Sequence, residues 1–238
     1  MSQTNDRDNA LYMAQILDQT DLHDDTIELM KRVVDLNPDL NPEERNLLSA
    51  AYKNAITVHR NGLRILSAIS EDKEGTATQN RINHINKIRE QIVSDLEKKC
   101  NELISIITTK LLPTAQDTET RIFYEKLEAD YYRYLCEATT GDVRNSYLEK
   151  AKKCYETALD IAKAELSKGK PSYLGLILNY TVFLQEIVGN KEEALNLAQN
   201  TYSECTPLVE DNSDDSLSEA TMILQILRDN ILLWSESQ

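Results

Sequence analysis

The sequence predicts an all-α protein, and three observations support this fold class. The 238 residues include only 6 glycines and 5 prolines, the two residues that most often interrupt helices. Between the breaks, apolar side chains recur at the three- and four-residue intervals that place them on one face of a helix. No segment of useful length shows the strict apolar–polar alternation of a half-buried strand.

Turn-forming residues divide the chain into nine predicted helices. In chain order, the main breaks contain Pro38, Pro113, Gly141, Gly169 and Gly189. The predicted helices span residues 4–18, 22–37, 42–71, 78–111, 118–139, 144–168, 172–188, 191–208 and 216–235. Short connections between them favour antiparallel neighbours.

The third helix has the clearest start signal. Asn41 can cap it, Pro42 suits its first turn, and Glu43 and Glu44 follow near the positive end of the helix dipole. At 41% hydrophobic, the chain has enough apolar material for a sizeable core. We expect one domain over residues 1–238, with any break between subdomains at the Pro113 loop and no flexible linker there.

Charge and composition exclude several classes of function. The chain carries 26 Lys and Arg against 40 Asp and Glu, a net charge of -14, which argues against nucleic acid as a partner because that binding depends on clustered cations. We expect no membrane span and no secretion signal, since no apolar run is long enough and the first residues lack a basic head. The 4 cysteines form no CxxC pair and favour reduced thiols. The expected location is the cytoplasm, with the nucleus as a second compartment.

Three cations share one stripe of the third predicted helix. At about 100° per residue, Arg60 lies roughly 20° behind Lys53 and Arg64 roughly 20° ahead of it. Such a stripe is about as often a solvated face as a binding site. A second segment favours the binding site.

That second segment lies on the fifth predicted helix. Lys126, Asp130 and Arg133 follow one side of it, with Tyr134 adjacent. We expect Arg133 to be part-buried, and Asp130, one turn earlier, to be the partner that a buried guanidinium needs. If this helix faces Lys53 and Arg60, the cations and the phenol suit a dianionic phosphate.

Two later helices carry asparagines among apolar residues. Asn179 is followed by Val182 and Glu186, and Asn230 lies four residues before Trp234. One interpretation is that each asparagine is a satisfied core residue. The other is a groove that holds an extended peptide by its main chain, because an amide can donate to a peptide C=O and accept from a peptide N–H.

Several segments together resemble one known family. They read ERNLLSAAYKNAITVHRNGLR, FYEKLEADYYRYLCE, LGLILNYTVFLQEI and LQILRDNILLW, and the opening YMAQILDQTDLHDDTIELMKRVVDLN is similar to the family's first two helices. The chain is identified as a divergent member of the 14-3-3 family, with the likeness running in order from about residue 5 to residue 235.

The resemblance implies a fold and a function. In that family, nine antiparallel helices form a cup, usually dimeric, whose groove binds phosphoserine or phosphothreonine segments of client proteins. By resemblance, the phosphate is held by Lys53, Arg60, Arg133 and Tyr134. The peptide main chain is held by Asn179 and Asn230, with Glu186 and Trp234 beside them. The apolar wall of the groove comprises Leu178, Val182, Met222, Ile223 and Ile226.

The groove region departs from the family pattern at three positions. His59 stands where the family usually has the first arginine of a pair, and Gly62 where it has a serine. Glu128 occupies a commonly basic position, so we expect a weaker positive field near the groove.

The dimer face departs further. Leu22 and Gln91 replace an arginine and a lysine of the family's interprotomer pairs, leaving Asp25 and Asp95 without their usual partners, and Ile88 replaces a tyrosine. Apolar contact can substitute for interfacial ion pairs. We expect a homodimer through the N-terminal helices with an altered interface.

An enzyme is the class of function that the sequence argues against. It has only 3 histidines, and it contains no HExxH, CxxC or glycine-rich phosphate loop. We therefore expect no catalytic activity, no cofactor and no metal site. The prediction is an adaptor that binds phosphorylated segments and regulates clients by sequestration or scaffolding. The alternative is a helical scaffold that binds unphosphorylated amphipathic segments, which would explain the apolar groove but not the cations.

Overall fold

The computed structural model describes residues 3–71, 79–210 and 217–236. All regular structure within these ranges is helical, which confirms the predicted fold class. The described α-helices are α1 (Gln3–Asp18), α2 (His23–Leu36), α3 (Pro42–Glu71), α4 (Gln79–Ile106), α5 (Thr118–Ala138), α6 (Gly141–Glu165), α7 (Pro171–Phe183), α8 (Lys191–Glu210) and α9 (Leu217–Glu236). None of the helices in these ranges has the length and apolar character needed to cross a bilayer.

Most predicted boundaries agree with the structure. The predicted starts at residues 78 and 216 lie outside the described residues. Two predicted helices end in wider π-helical turns, Ile107–Leu111 after α4 and Leu184–Val188 after α7. With these turns counted, the remaining predicted ends lie within three residues of the observed ones.

The chain divides into two compact units, residues 1–114 and 115–238. The division falls at the Pro113 loop, where the sequence predicts a break. The first unit contains α1 to α4, and the second contains α5 to α9. The prediction of a single domain over residues 1–238 stays a prediction.

In the first unit, a reciprocal cap fixes the start of α3. The Glu44 N–H donates to Asn41 Oδ1, and the Asn41 N–H donates to Glu44 Oε2, both at 3.0 Å. Asn41 is therefore the cap that the sequence predicts. Arg7 of α1 also donates two 2.9 Å hydrogen bonds to the buried Glu44 carboxylate. This bidentate pair ties α3 to α1.

One face of α3 belongs to the core of the first unit. Leu48, Ala51, Tyr52, Ala55 and Ile56 are all buried. The Tyr52 hydroxyl also donates a hydrogen bond to Glu102 on the neighbouring α4. Because this face is buried and anchored, the rotation of α3 about its own axis is fixed.

In the second unit, α5 is positioned at both ends. Asp117 caps its start by accepting a 2.8 Å hydrogen bond from the Thr120 N–H. After its last residue, a connection of two residues, Thr139 and Thr140, leads into α6. Such a short connection makes α5 and α6 antiparallel neighbours, and α5 also packs against α7.

The core of the second unit is aromatic where α6 meets α7. The rings of Tyr155, Tyr180 and Phe183 pack with centroids 5.2–6.3 Å apart. The π-helical turn that extends α7 carries Glu186 and ends at Gly189, whose φ of +78° lies in the left-handed region that favours glycine.

Candidate functional site

The cations of α3 lie on the side of the helix away from the core of the first unit. Lys53 and Arg64 are exposed and Arg60 is half-buried. Because α3 is one continuous helix over these positions, the three cations share a stripe as predicted. Within residues 3–71 and 79–114, Lys53 forms no ion pair. Its ammonium group is therefore available to a ligand.

A buried carboxylate organises the second unit's cations. Asp130 is 4% exposed and Arg133 is 7% exposed, so Arg133 is more deeply buried than the part-buried position that the sequence predicts. Arg133 Nη2 donates to Asp130 Oδ1 at 3.2 Å, which makes Asp130 the predicted partner. Tyr155 of α6 donates its hydroxyl to the same oxygen and accepts a 3.2 Å hydrogen bond from Arg133 Nε. The three side chains form a closed ring of hydrogen bonds that fixes the guanidinium plane.

The second oxygen of Asp130 holds two further site residues. Lys126 Nζ donates to Oδ2 at 3.4 Å, and Asn179 Nδ2 on α7 donates to it at 2.8 Å. One carboxylate therefore orients a lysine, an arginine and an amide from two helices. A buried group with this many donors is fully satisfied, so the network is rigid.

The electrostatics of this network favour its charged form. Burial alone would raise the pKa of Asp130, but Lys126 and Arg133 outweigh burial and lower that pKa below its ordinary value. Burial alone would lower the pKa of Arg133, yet Tyr155 and Asp130 raise it well above the ordinary value. Burial also raises the pKa of Tyr155, which keeps its hydroxyl a neutral donor.

One edge of the Arg133 guanidinium is directed away from Asp130. Its Nη1 lies 3.5 Å from Glu137 Oε1, one helical turn later on α5. The ring of Tyr134 lies 4.6 Å from the guanidinium carbon, a cation–π contact. Nε and Nη2 are used within the protein, so Nη1 is the group that can reach an anion by exchanging its Glu137 contact.

The two asparagines predicted to hold a peptide main chain, Asn179 and Asn230, lie on different helices. Asn179 is half-buried, and its amide nitrogen is held by Asp130. That hydrogen bond sets the orientation of the amide and leaves its oxygen to accept from a ligand N–H. Asn230 is half-buried on α9, and Glu186 is exposed.

The residues predicted to form the apolar wall lie on α7 and α9, which pack against each other. Leu178, Val182 and Ile223 are partly buried against the core. Met222 and Ile226 are 66% and 41% exposed, so both are accessible to a ligand. Trp234, predicted beside the asparagines that hold the peptide main chain, is 7% exposed and belongs to the core of the second unit.

Two residues of the network were missed by sequence reasoning. Glu137 could have been found from its spacing, because it lies four residues after Arg133 on the same helix. Tyr155 gave no such signal, since a tyrosine on the apolar side of α6 indicates only a core position.

Two residues that depart from the family pattern, Glu128 and His59, have hydrogen-bond partners of their own within the protein. Glu128 is 7% exposed, and its carboxylate accepts from Cys154 and Tyr132 instead of facing solvent. His59 Nδ1 donates to the Ala55 carbonyl at 3.0 Å and lines a cavity rich in carboxylates in the first unit.

A large concave region of the second unit contains none of the predicted site residues. This open cleft of about 760 Å³ lies along α6 and α8, and its acidic lining residues are Glu156, Asp160, Glu192 and Glu193. Four carboxylates oppose a phosphate ligand, so the cleft is no rival to the cationic segments as an anion site.

The all-helical fold, with an arginine and an amide held by the buried Asp130, suits a phosphopeptide-binding adaptor. Comparison with known proteins agrees with this class. The family model of the 14-3-3 proteins matches residues 13–235. The chain belongs to the 14-3-3 family.

Similar proteins occur in plants and fungi. The 14-3-3-like protein C of Glycine max is 36% identical over 235 residues, which cover 99% of this chain and 91% of that protein. The checkpoint signal transducer rad25 of Schizosaccharomyces pombe is 38% identical over 232 residues, which cover 98% of this chain and 86% of that protein. The 14-3-3 family protein artA of Aspergillus flavus is 34% identical over 231 residues, covering 97% of each chain.

Proposed function

We propose that this 14-3-3 protein binds phosphoserine or phosphothreonine segments of client proteins, with the phosphate held by Lys53, Arg60, Arg133 and Tyr134. The observation that carries the proposal is the Asp130 network, in which one buried carboxylate orients both Arg133 and Asn179. An arginine and an amide on one carboxylate suit a ligand that combines a phosphate with a peptide main chain.

The proposed mechanism uses side chains that are oriented before the ligand arrives. Phosphorylation adds a charge of about -1.5 to -2 and three strong acceptor oxygens to the client. Each charge-assisted hydrogen bond contributes roughly 1.5–3 kcal/mol, so several of them separate a phosphorylated segment from its unmodified form by a few orders of magnitude. The Asn179 oxygen and Asn230 then hold the main chain beside Glu186 and Trp234.

The apolar wall supplies contact for residues that flank the phosphate. Its members are Leu178, Val182, Met222, Ile223 and Ile226. The protein acts by sequestering or scaffolding its clients, without catalytic activity of its own, in the cytoplasm and also in the nucleus. No cofactor takes part in this mechanism.

A second candidate is a scaffold for unphosphorylated amphipathic segments. The exposed apolar residues of α9, among them Met222 and Leu233 at 66% and 60% exposure, favour it. It gives no account of the arginine held by Asp130. The two candidates differ in whether removal of the phosphate abolishes binding.

We further propose that the protein forms a homodimer through its N-terminal helices. On α1, Tyr12, Met13 and Ile16 are 65%, 53% and 45% exposed, and Ile88 on α4 is 51% exposed. Gln91 donates to both oxygens of Asp95 at 3.1 Å, so Asp95 has a partner within its own protomer. An apolar interface replaces the interprotomer ion pairs. Light scattering that reports a monomer at all concentrations would overturn this part of the proposal.

The test of function is fluorescence anisotropy with one labelled serine peptide, measured with and without its phosphate. We expect tight binding of the phosphorylated form alone, and loss of that selectivity in Arg133→Ala. Arg121→Ala is the matched control, because Arg121 is an exposed arginine on the same helix. Equal binding of both peptides by the natural protein would support the scaffold and contradict the adaptor.

A further inference from the structure

A second cluster of ionisable side chains lies where α5 packs against α6. Glu125 and Glu128 of α5 and Cys154 of α6 place two carboxylate oxygens and one sulfur all within 4.8 Å of one another. Glu128 is 7% exposed, and the other two side chains are half-buried. The cluster has no part in the proposed phosphate site.

The surroundings of this cluster favour the neutral forms of its two carboxyl groups. Burial, and then the neighbouring Glu125, raise the pKa of Glu128 against the opposing effects of hydrogen bonds from Cys154 and Tyr132 and of Lys150. Burial also raises the pKa of Glu125, against the opposing effects of Arg121 and Lys153. The ammonium of Lys150 lies over the rings of Tyr132 and Tyr147, at 5.5 and 5.9 Å from their centroids.

We propose that Glu125, Glu128 and Cys154 form a binding site for a divalent cation of the zinc class. A thiolate and two carboxylates provide three protein ligands, and water completes the tetrahedral set that Zn²⁺ prefers. The sulfur ligand favours zinc over calcium or magnesium, which bind through oxygen.

The geometry requires only a small contraction. Bonds of roughly 2.0–2.3 Å to zinc place tetrahedral ligand atoms roughly 3.3–3.8 Å apart. The three atoms lie within 4.8 Å of one another, so binding requires the longest separation to shorten by roughly 1.0–1.5 Å at most. Tyr132 serves as an outer partner, because its hydroxyl donates to Glu128 and orients that carboxylate.

Binding has a chemical consequence that can be measured. A cysteine thiol ordinarily has a pKa of about 8.5, so the sulfur carries its proton in the metal-free protein near neutral pH. Coordination replaces that proton with the ion, and the proton passes to the buffer. The ion then ties α5 to α6 beside the hydrogen bond between Asp130 and Tyr155. We therefore expect zinc to stabilise the second unit.

This site departs from the sequence prediction that no metal binds. Sequence spacing could not reveal it, because its ligands lie on two helices and join only when α5 packs on α6. The paired glutamates alone indicate a solvated face, and Cys154 alone indicates a structural thiol.

The test is a titration of the full, reduced, chelator-treated chain with Co²⁺, a spectroscopic substitute for zinc. We expect one equivalent to bind with a sulfur-to-cobalt charge-transfer absorption band, and Zn²⁺ to displace it. Cys154→Ser should remove the band, and Glu128→Gln should weaken binding at least tenfold. Cys205→Ala and Glu149→Gln are controls, as a thiol and a carboxylate of the second unit outside the cluster.

Thermal unfolding provides an independent readout. We expect Zn²⁺ to raise the unfolding temperature of the natural protein and of both controls, but not that of Glu128→Gln, which keeps the thiol. The proposal is overturned if no charge-transfer band forms, if the band persists in Cys154→Ser, or if Zn²⁺ leaves the unfolding temperature unchanged. Phosphopeptide binding plays no part in either measurement.

Discussion

Asp130 and Glu128 lie two residues apart on α5, and burial has opposite outcomes for them. Both side chains belong to buried residues, at 4% and 7% exposure. Asp130 meets Lys126, Arg133, Asn179 and Tyr155, and its pKa is lowered. Glu128 meets a second glutamate and a thiol, and its pKa is raised.

The difference shows that partners, rather than depth, decide what a buried carboxylate does. Two positions along a helix amount to roughly 200° of rotation, so the two side chains reach different surroundings. On one side, hydrogen-bond donors and cations converge on the Asp130 carboxylate. On the other side, a second carboxylate and a thiol lie beside Glu128. These surroundings are the basis for proposing an anion site on the first side and a cation site on the second.

The largest expected effect comes from removing Asp130. In Asp130→Ala, Arg133 stays buried without its anion, and loss of one partner of a buried pair costs about 3–5 kcal/mol. Urea unfolding followed by circular dichroism measures this loss. Asp160→Ala, an exposed aspartate on α6, is the control and should change little. Equal stability of the two variants would contradict the role assigned to the Asp130 network.

A somewhat smaller loss is expected at Asn179. Asn179→Asp removes a hydrogen bond to a charged group, worth about 1.5–3 kcal/mol, and places a second carboxylate against Asp130. We expect Asn179→Asp to destabilise the protein more than Asn179→Ala does. We also expect it to weaken the binding of phosphorylated and unmodified peptides by the same factor. Thermal unfolding and anisotropy measure the two effects. If Asn179→Ala is the more damaging variant, repulsion from Asp130 is excluded.

The smallest expected change in stability is a gain, and it is expected when Glu128 is replaced. A raised folded pKa means that its contribution to stability is present below the ordinary value of about 4.3 and lost as the pH rises through the folded pKa. Metal-free Glu128→Gln should therefore be more stable than the natural protein at pH 7, by less than Asp130→Ala loses. Unfolding free energies measured from pH 3 to pH 8 provide the check.

The same unfolding measurements across pH test Asp130, whose pKa is shifted in the opposite direction to that of Glu128. A lowered folded pKa means that its contribution is present above the ordinary value of about 3.9 and lost as the pH falls through the folded pKa. The natural protein should lose stability on acidification in this range, and Asp130→Ala should lose less. A natural protein and an Asp130→Ala variant with parallel pH profiles would contradict the lowered pKa.

Local features of the fold could be predicted from the sequence. The Asn41 cap, the break at Pro113 and the pairing of Asp130 with Arg133 all depend on residues close together in the chain. Spacing along one helix determines such contacts. The interpretation of Asn179 as an internally satisfied residue is correct for its nitrogen, which donates to Asp130. The interpretation that it holds a peptide main chain stays a prediction.

Contacts between helices could not be predicted in the same way. Tyr155 and Cys154 of α6 complete the Asp130 network and the Glu128 cluster respectively. Which side chains of α6 meet α5 depends on the relative rotation and register of the two helices. That register is determined by packing, which no local pattern in the sequence encodes.

The proposed function requires that Arg60 and Arg133 bind one phosphate. A double-mutant cycle of Arg60→Ala and Arg133→Ala tests it, measured by anisotropy at low ionic strength with the phosphorylated and unmodified serine peptides. We predict that the double variant departs from the sum of the single losses by more than about 0.5 kcal/mol, and only for the phosphorylated peptide. Additive losses, or equal losses for both peptides, would contradict the claim.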